Sequence, residues 1–419
     1  MDVPDAIQLM GDKQWQEIKS RLTGKFNKMM KGLFRQKGAQ LDINILASDE
    51  AQEFITTHAG ILDGGFQKVE MSDKMRERLT RSNYIFSGIK TFHELNEAFP
   101  SMLDENGNKK PFERFLNDVQ KINDTYNANY LHAEYNFVQA SATMAAKWEQ
   151  FSEDGDRYYL QYRTAKDDKV RPEHAALDGV TLPMSDSFWE TYYPPNGWNC
   201  RCTVVQVRKQ KYPATEHGEA MSRGEEAMNG ERYNIFRFNS GKQGKTMPDY
   251  NPYTIRRCND CDVAKGKLKL GFVPNYQLCQ GCVMVRKCSE DRNRDNSAKA
   301  TKKSPEVKKL QGTTISNPDF NHEVLITGGS IKEWTNQPHK EYAAKNSILK
   351  HIAKVFREAN YIGTIDNFKK KPGVKQSHLF ETDVLGELSW IIVREYEIGE
   401  FVLHSISDSD KIKTGIRKE

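Results

Sequence analysis

The sequence predicts a multidomain α+β protein. Three observations carry this reading. Apolar residues recur at helical spacing through the first third of the chain. A cysteine-rich insert follows its middle. Near the C-terminus one helical run precedes two alternating runs. The expected architecture is a helical N-terminal region with a small α+β module, a zinc knuckle, and a C-terminal helix-plus-antiparallel-sheet domain. At 419 residues the chain has room for two to four domains. Its 37% hydrophobic residues exclude wholesale disorder, and a net charge of +5 over that length does not by itself argue for nucleic-acid binding. There is no apolar run long enough to span a membrane, and Met1–Asp5 carries no secretory pattern, so a cytosolic protein is expected.

Residues 1–80 are expected to be mostly helical. Trp15, Ile18, Leu22 and Phe26 mark one amphipathic helix, with Lys19, Arg21, Lys25 and Lys28 on its other face. From Phe115 to Trp148 the stripe Phe115, Val119, Ile122, Tyr126, Tyr130, Ala133, Phe137, Ala140 and Met144 predicts one or two long helices.

The densest run of rare residues extends from Tyr162 to Cys202. Asp167, Asp168, Arg171, Glu173 and His174 lie in one segment, where Pro172 keeps Arg171 out of a helix and favours a loop. Pro194-Pro195-Asn196-Gly197 is a turn flanked by Trp189, Tyr192, Tyr193 and Trp198. Two readings stand. In one, the loops, the aromatic rings and an Arg–Asp pair form a structural knot. In the other, His174, Cys200 and Cys202, with Asp167 or Asp168, hold a metal, since these are ligand types that zinc accepts.

This run, within Asn83 to Val207, resembles the signature of the phage Mu F family of minor head and head-morphogenesis proteins. The resemblance implies a Mu F-like domain over residues 81–207, with Asp167, Arg171, His174, Cys200 and Cys202 as its motif. It also implies a virion protein made in the bacterial host cytoplasm, with portal and capsid proteins as partners.

Cys258, Cys261, Cys279 and Cys282 follow Cys-x2-Cys-x17-Cys-x2-Cys spacing in an insert spanning residues 208–290. Two such turns aim four thiolates at one point, so a structural zinc is expected there, with Gly281 supplying a left-handed angle in the second turn. Residues 291–318 are Ser-, Asn- and Lys-rich without apolar period, and read as a linker.

Residues 319–419 should then fold as a domain. Pro338–Ala359 reads as a helix, and 386–396 and 400–407 as strands about the Glu397-Ile398-Gly399 turn. Metal-independent RNA cleavage needs a base, an acid and a cation, and this stretch offers His339, His378 and His404, Lys332, Lys345, Lys375 and Lys411, and Ser405. With Ile331-Lys332-Glu333, Asn336, His339, Tyr361-Ile362-Gly363 and Lys411-Ile412-Lys413, the order of elements resembles the barnase/EndoU/RelE-like nuclease domains fused to Mu F-type proteins. That resemblance implies a ribonuclease using Lys332, His339, His378 and Ser405, with Lys369, Lys370, Lys371 and Lys375 on RNA and an immunity protein as partner. The alternative is a structural head protein without catalysis, whose C-terminal part only binds capsid, portal or DNA.

Overall fold

The structure is a computed structural model. It describes residues 12–38, 40–249, 251–253, 280–337, 342–367, 371–384, 387–409, 412 and 416–417. The chain divides into two compact units, Met1–Ser289 and Glu290–Glu419.

In the first unit the expected amphipathic helix is α1, Asp12–Phe34, which buries Leu22, Phe26, Met29, Met30 and Leu33. Ile18 is half-buried, and the Trp15 side chain lies outside the described residues. Helices α2 (Asp49–Asp63) and α3 (Asp73–Ala98) each start at a serine whose side chain caps the first turn: Ser48 accepts from the Ala51 N–H and Ser72 from that of Met75. The expected long helical stretch is α4 (Phe112–Asn123), a π-helical segment Asp124–Tyr130, and α5 (Leu131–Asp154). Of its stripe, Phe115, Val119, Ile122, Tyr126, Phe137, Ala140 and Met144 are buried, while Tyr130 emerges into solvent.

The widened π segment sits against a buried polar network. Lys90 of α3 donates to the Tyr126 carbonyl (2.7 Å), to Glu134 Oε2 (2.7 Å) and meets His58 Nε2 (3.0 Å). A side chain inserted into a helical ladder is a physical cause of such widening. The Tyr253 hydroxyl donates to the other oxygen of Glu134. Burial would raise the Glu134 carboxyl, but the charge of Lys90 and the bond from His58 hold it at about 2. Burial and the Lys90 charge push His58 down to about 4.

A small antiparallel sheet follows, in the order β2-β1-β3: β1 is Tyr159–Arg163, β2 Thr181–Pro183 and β3 Thr203–Val207. Helix α6 (Pro172–Ala175) lies between β1 and β2, α7 (Phe188–Thr191) between β2 and β3, and α8 (His217–Ala227) beyond β3. Gly224 of α8 packs directly on Tyr192, where a Cβ would stand 2.5 Å from the ring. One apolar core runs through the unit from Leu22 to Val285. The expected breaks near residues 80 and 207 have no counterpart in this packing, because α3 runs through the first and the core joins both sides of the second.

Residues 291–318, read as a linker, are ordered. A helix Gln280–Lys303, a short helix Pro305–Lys309 and strand β4 (Thr314–Asn317) occupy them. The missing apolar period is replaced by polar tethers within the second unit: Asn346 donates to Ser297 Oγ (3.1 Å) and Lys302 to Asn336 (2.9 Å). Gly281 is also helical, without a left-handed angle. Its role is close packing, since a Cβ there would meet the Phe92 ring at 2.5 Å.

The second unit is built on a six-stranded mixed sheet in the order β4-β5-β9-β8-β7-β6. Its remaining strands are β5 (Phe320–Leu325), β6 (Asn360–Asp366), β7 (Val374–Val384), β8 (Glu387–Tyr396) and β9 (Phe401–Ser407). The β8–β9 hairpin agrees with the sequence reading, and Gly399 takes φ +83° in its turn. The expected helix is present as Tyr342–Ile348, a 3-10 turn, and Ile352–Glu358. Phe356 and Ile352 pack on Phe380 and Ile391 of the sheet, together with Trp334 of helix Gly328–Asn336. The protein is therefore mixed α+β, and no helix among the described residues is long and apolar enough to cross a membrane.

Glu94 of α3 yields a test of the first core. It is fully buried, its Oε1 has no hydrogen-bond partner among the described residues, and burial raises its carboxyl to about 8. A raised folded value means that the folded state keeps a proton that the unfolded chain releases. The stability is whole below about 4.5 and is lost as pH rises to about 8. Glu94→Gln should flatten that loss. Denaturant unfolding at pH 9 should show the variant more stable than the parent by about 1–3 kcal/mol, with a smaller difference at pH 5.

Candidate metal centre

The Tyr162–Cys202 motif closes on itself around β1 and β3. Arg171 is extended (φ −64°, ψ 139°), as Pro172 requires, and Pro172 then opens the one-turn helix α6 instead of a loop. That turn carries His174 inward, where it is 2% exposed. On the other side, Asn199 takes a left-handed angle (φ 57°), a position that Asn tolerates, and its side chain accepts from Asn136 of α5 (3.0 Å). This turn places Cys200 and Cys202 immediately before β3.

The two halves meet. Cys200 Sγ lies 3.6 Å and Cys202 Sγ 3.8 Å from His174 Nδ1. The three ligand atoms lie within 4.8 Å of one another, and all three residues are buried. Arg171 locks the closure by donating to the Trp198 carbonyl (2.6 Å). Gly197 leaves room for it, since a Cβ there would stand 3.1 Å from Arg171 Nη1. Tyr162 of β1, wholly buried, donates to Asn196 Oδ1 (2.7 Å) and anchors the Pro-Pro-Asn-Gly turn.

Neither aspartate joins the group. Asp167 is exposed and forms a two-bond pair with Arg201 (2.5 and 2.6 Å), and Asp168 is exposed as well. The Arg–Asp pair of the motif is thus Arg201–Asp167, and Arg171 serves the backbone. Electrostatically the two thiols split. A bond from Cys202, against the cost of burial, and a bond from His174 hold the Cys200 thiol well below its ordinary value, while Cys200 pushes Cys202 up. A buried thiol whose ionised form is favoured, beside an imidazole nitrogen and a second sulfur, is a soft N/S donor set that zinc accepts, and it fits a metal ion. The second ring nitrogen, Nε2, is buried and has no hydrogen-bond partner among the described residues.

The four-cysteine site falls almost wholly outside the described residues. Cys258, Cys261 and Cys279 are not among them, and Cys282 is buried in helix Gln280–Lys303.

In the second unit the sequence candidates separate. His339, Lys369 and Lys370 lie outside the described residues. Lys332 is exposed on its helix, and Lys371 is exposed. Lys345 is wholly buried and paired with Asp408 (2.7 Å), so it is not a phosphate contact. His378 pairs in register with Val393, and Ser405 with Ile392. Adjacent strand residues face opposite ways, so His378 and Ser405 lie on opposite faces of the sheet and do not share a site. Instead His378 is joined to Tyr361 and Glu395, and Lys375 to Glu395. Sequence reading missed Glu395, whose only signal was its position on the strand paired with β7.

Comparison with known proteins places these features. Residues 106–205 match the family described as phage Mu protein F like protein, and residues 293–403 match large polyvalent protein-associated domain 3. The chain is 31% identical over 177 residues to the putative capsid assembly protein F of Escherichia phage Mu, covering 41% of this chain and 38% of that protein. It is 26% identical over 198 residues to the Mu-like prophage FluMu F protein of Haemophilus influenzae, covering 46% of this chain and 42% of that one. The chain thus spans about two fifths of the length of these curated relatives. No solved structure matches.

The anchoring bond is testable without a metal. Tyr162→Phe leaves the buried Asn196 carbonyl oxygen without its donor, and urea unfolding should show a loss of about 1–3 kcal/mol.

Proposed function

We propose that this chain is a minor head protein of a tailed phage or prophage, acting in capsid morphogenesis, with portal and capsid proteins as its partners. The observation that carries the reading is that the Mu F-like match at residues 106–205 covers the segment in which the His174–Cys200–Cys202 group is built. In this role the motif is not a turnover site. A zinc bound by these three donors, with water or a further group in its fourth position, would tie α6 to the start of β3 and hold a docking surface in one shape. A second zinc at Cys258, Cys261, Cys279 and Cys282 belongs to the same proposal, as does a life cycle divided between host cytoplasm and virion. In a lysogen or infected cell, His174→Ala and Cys200→Ser should give heads that lack the protein, detected by immunoblot of purified particles. Normal incorporation of both variants at wild-type level would overturn the assembly role of the motif.

For the second unit we propose the RNA-cleaving effector that its order of elements suggested, with an immunity protein as its cellular partner. The supporting observation is the buried His378 imidazole, with acid–base partners, beside the exposed Lys371 and Lys375. Lys371 and Lys375 are the described members of the basic loop that would contact RNA. The full chain, without added metal, should cleave single-stranded RNA, and raising salt from about 50 to 200 mM should weaken binding by 10-fold or more. Intact RNA at every salt concentration would leave the non-catalytic head protein as the reading.

A further inference from the structure

In the second unit, five side chains on β6, β7 and β8 form a continuous network of hydrogen bonds. Glu395 Oε2 lies 3.0 Å from His378 Nε2, and His378 Nδ1 lies 3.0 Å from the Tyr361 hydroxyl. Lys375 (2.6 Å) and Gln376 (2.7 Å) also donate to the Glu395 carboxylate. Burial would raise Glu395, but these bonds hold it at about 2, so it is ionised at neutral pH. A carboxylate only accepts, so His378 must carry its hydrogen on Nε2. In the neutral imidazole Nδ1 is then a lone-pair acceptor, and the Tyr361 hydroxyl donates to it. The tautomer is therefore fixed by chemistry: carboxylate, imidazole and hydroxyl stand in the order of orienter, base and activated group.

The surroundings suit a nucleic-acid strand. Phe320 packs against the Tyr361 ring (5.4 Å between centroids) and the His378 ring (4.8 Å). Phe401 also packs on His378 (5.5 Å), and the exposed His322 stacks on Phe401 at 4.1 Å. Phe320 is buried and Phe401 half-buried, so these rings hold the relay in place, and the exposed His322 is the ring on which a base can stack. The Lys375 side chain, 60% exposed, brings positive charge to the same end of the sheet.

We propose that Tyr361 is the catalytic base of a ribonuclease site, activated through His378, with Glu395 as the positioning residue and His322 as the acid. This inference rests on the RNA-cleaving reading of the unit. The Tyr361 oxygen takes the proton of the ribose 2′-hydroxyl while its own proton passes to His378 Nδ1. The 2′-oxygen forms its bond to phosphorus and the P–O5′ bond breaks. The 5′-oxygen takes a proton from His322, which is reprotonated by water, and the His378 proton returns through Tyr361 to water. The products are a 2′,3′-cyclic phosphate and a 5′-hydroxyl end, with no oxidant or metal required.

Two measurements on the full-length protein test this. In the first, diisopropyl fluorophosphate is the probe: the Tyr361 oxygen bonds to phosphorus, fluoride leaves, and the proton goes to His378. Mass spectrometry should map the label to Tyr361, and His378→Asn should slow labelling roughly 100-fold. An unlabelled Tyr361, or equal labelling in the variant, overturns the relay. In the second, RNA cleavage is followed against pH. Tyr361→Phe keeps the ring and its packing and should lose roughly 100-fold in rate. Glu395→Gln should lower the pH of the acid limb, since the imidazole loses its carboxylate partner; a merely structural Glu395 would leave that limb in place. Label on Tyr361 with intact RNA would sink the ribonuclease reading and keep the relay. RNA cleaved equally by Tyr361→Phe would sink the relay and keep the ribonuclease reading.

Discussion

The first unit's functional segment depends on one meeting: the His174 imidazole against the sulfurs of Cys200 and Cys202. His174 comes from the one-turn helix α6 and the cysteines from the turn before β3, with β2 and α7 between them, and each segment is shaped locally to bring them together. Pro172 forces Arg171 to be extended and then starts the turn that points His174 inward. Asn199 bends the chain just before the cysteines. Arg171 and Tyr162 close the gap by gripping the Trp198 carbonyl and the Asn196 side chain. None of these bonds is strong alone, at about 1 kcal/mol for a typical hydrogen bond. A metal shared by the three donor atoms would convert them into one cross-link, and removing it would release both segments together.

Behind this module the helical part carries a second constraint. Lys90, Glu134, His58 and Tyr253 link α2, α3, α5 and the part of the insert that precedes Cys258 through buried polar bonds. Buried charge of this kind adds little net stability compared with apolar packing, but removing one partner costs several kcal/mol. Its effect is to fix one arrangement of the helices.

Much of this was legible in the sequence, and the parts that were not have physical reasons. The apolar steps from Leu22 to Phe26 and from Phe115 to Met144 gave helices because burial is periodic, and the β8–β9 hairpin showed through its alternation and Gly399. The His174–Cys200–Cys202 convergence was readable because rare residue types recur around proline-set turns. Residues 291–318 were misread because their helix is held by side-chain tethers such as Asn346 to Ser297, which leave no period. Strand register, which sends His378 and Ser405 to opposite faces, is a property of pairing and cannot be seen along one chain. For the same reason Glu395, adjacent to His378 only across the sheet, carried no signal. Gly281 illustrates a subtler case: its glycine is required by the Phe92 ring and not by a turn.

The most direct measurement is metal content and ligation in full-length protein whose Cys258, Cys261, Cys279, Cys282 and Cys288 are all changed to serine, so that only Cys200 and Cys202 of the Mu F-like motif offer thiolates. Cobalt substitution and X-ray absorption should show one tightly held ion with two sulfur ligands and one imidazole, lost in the further variant Cys200→Ser and retained in Asp167→Asn. Protein that folds with intact secondary structure yet holds no metal, with both Cys200 and Cys202 free to react with a thiol reagent, would contradict a metal-locked motif.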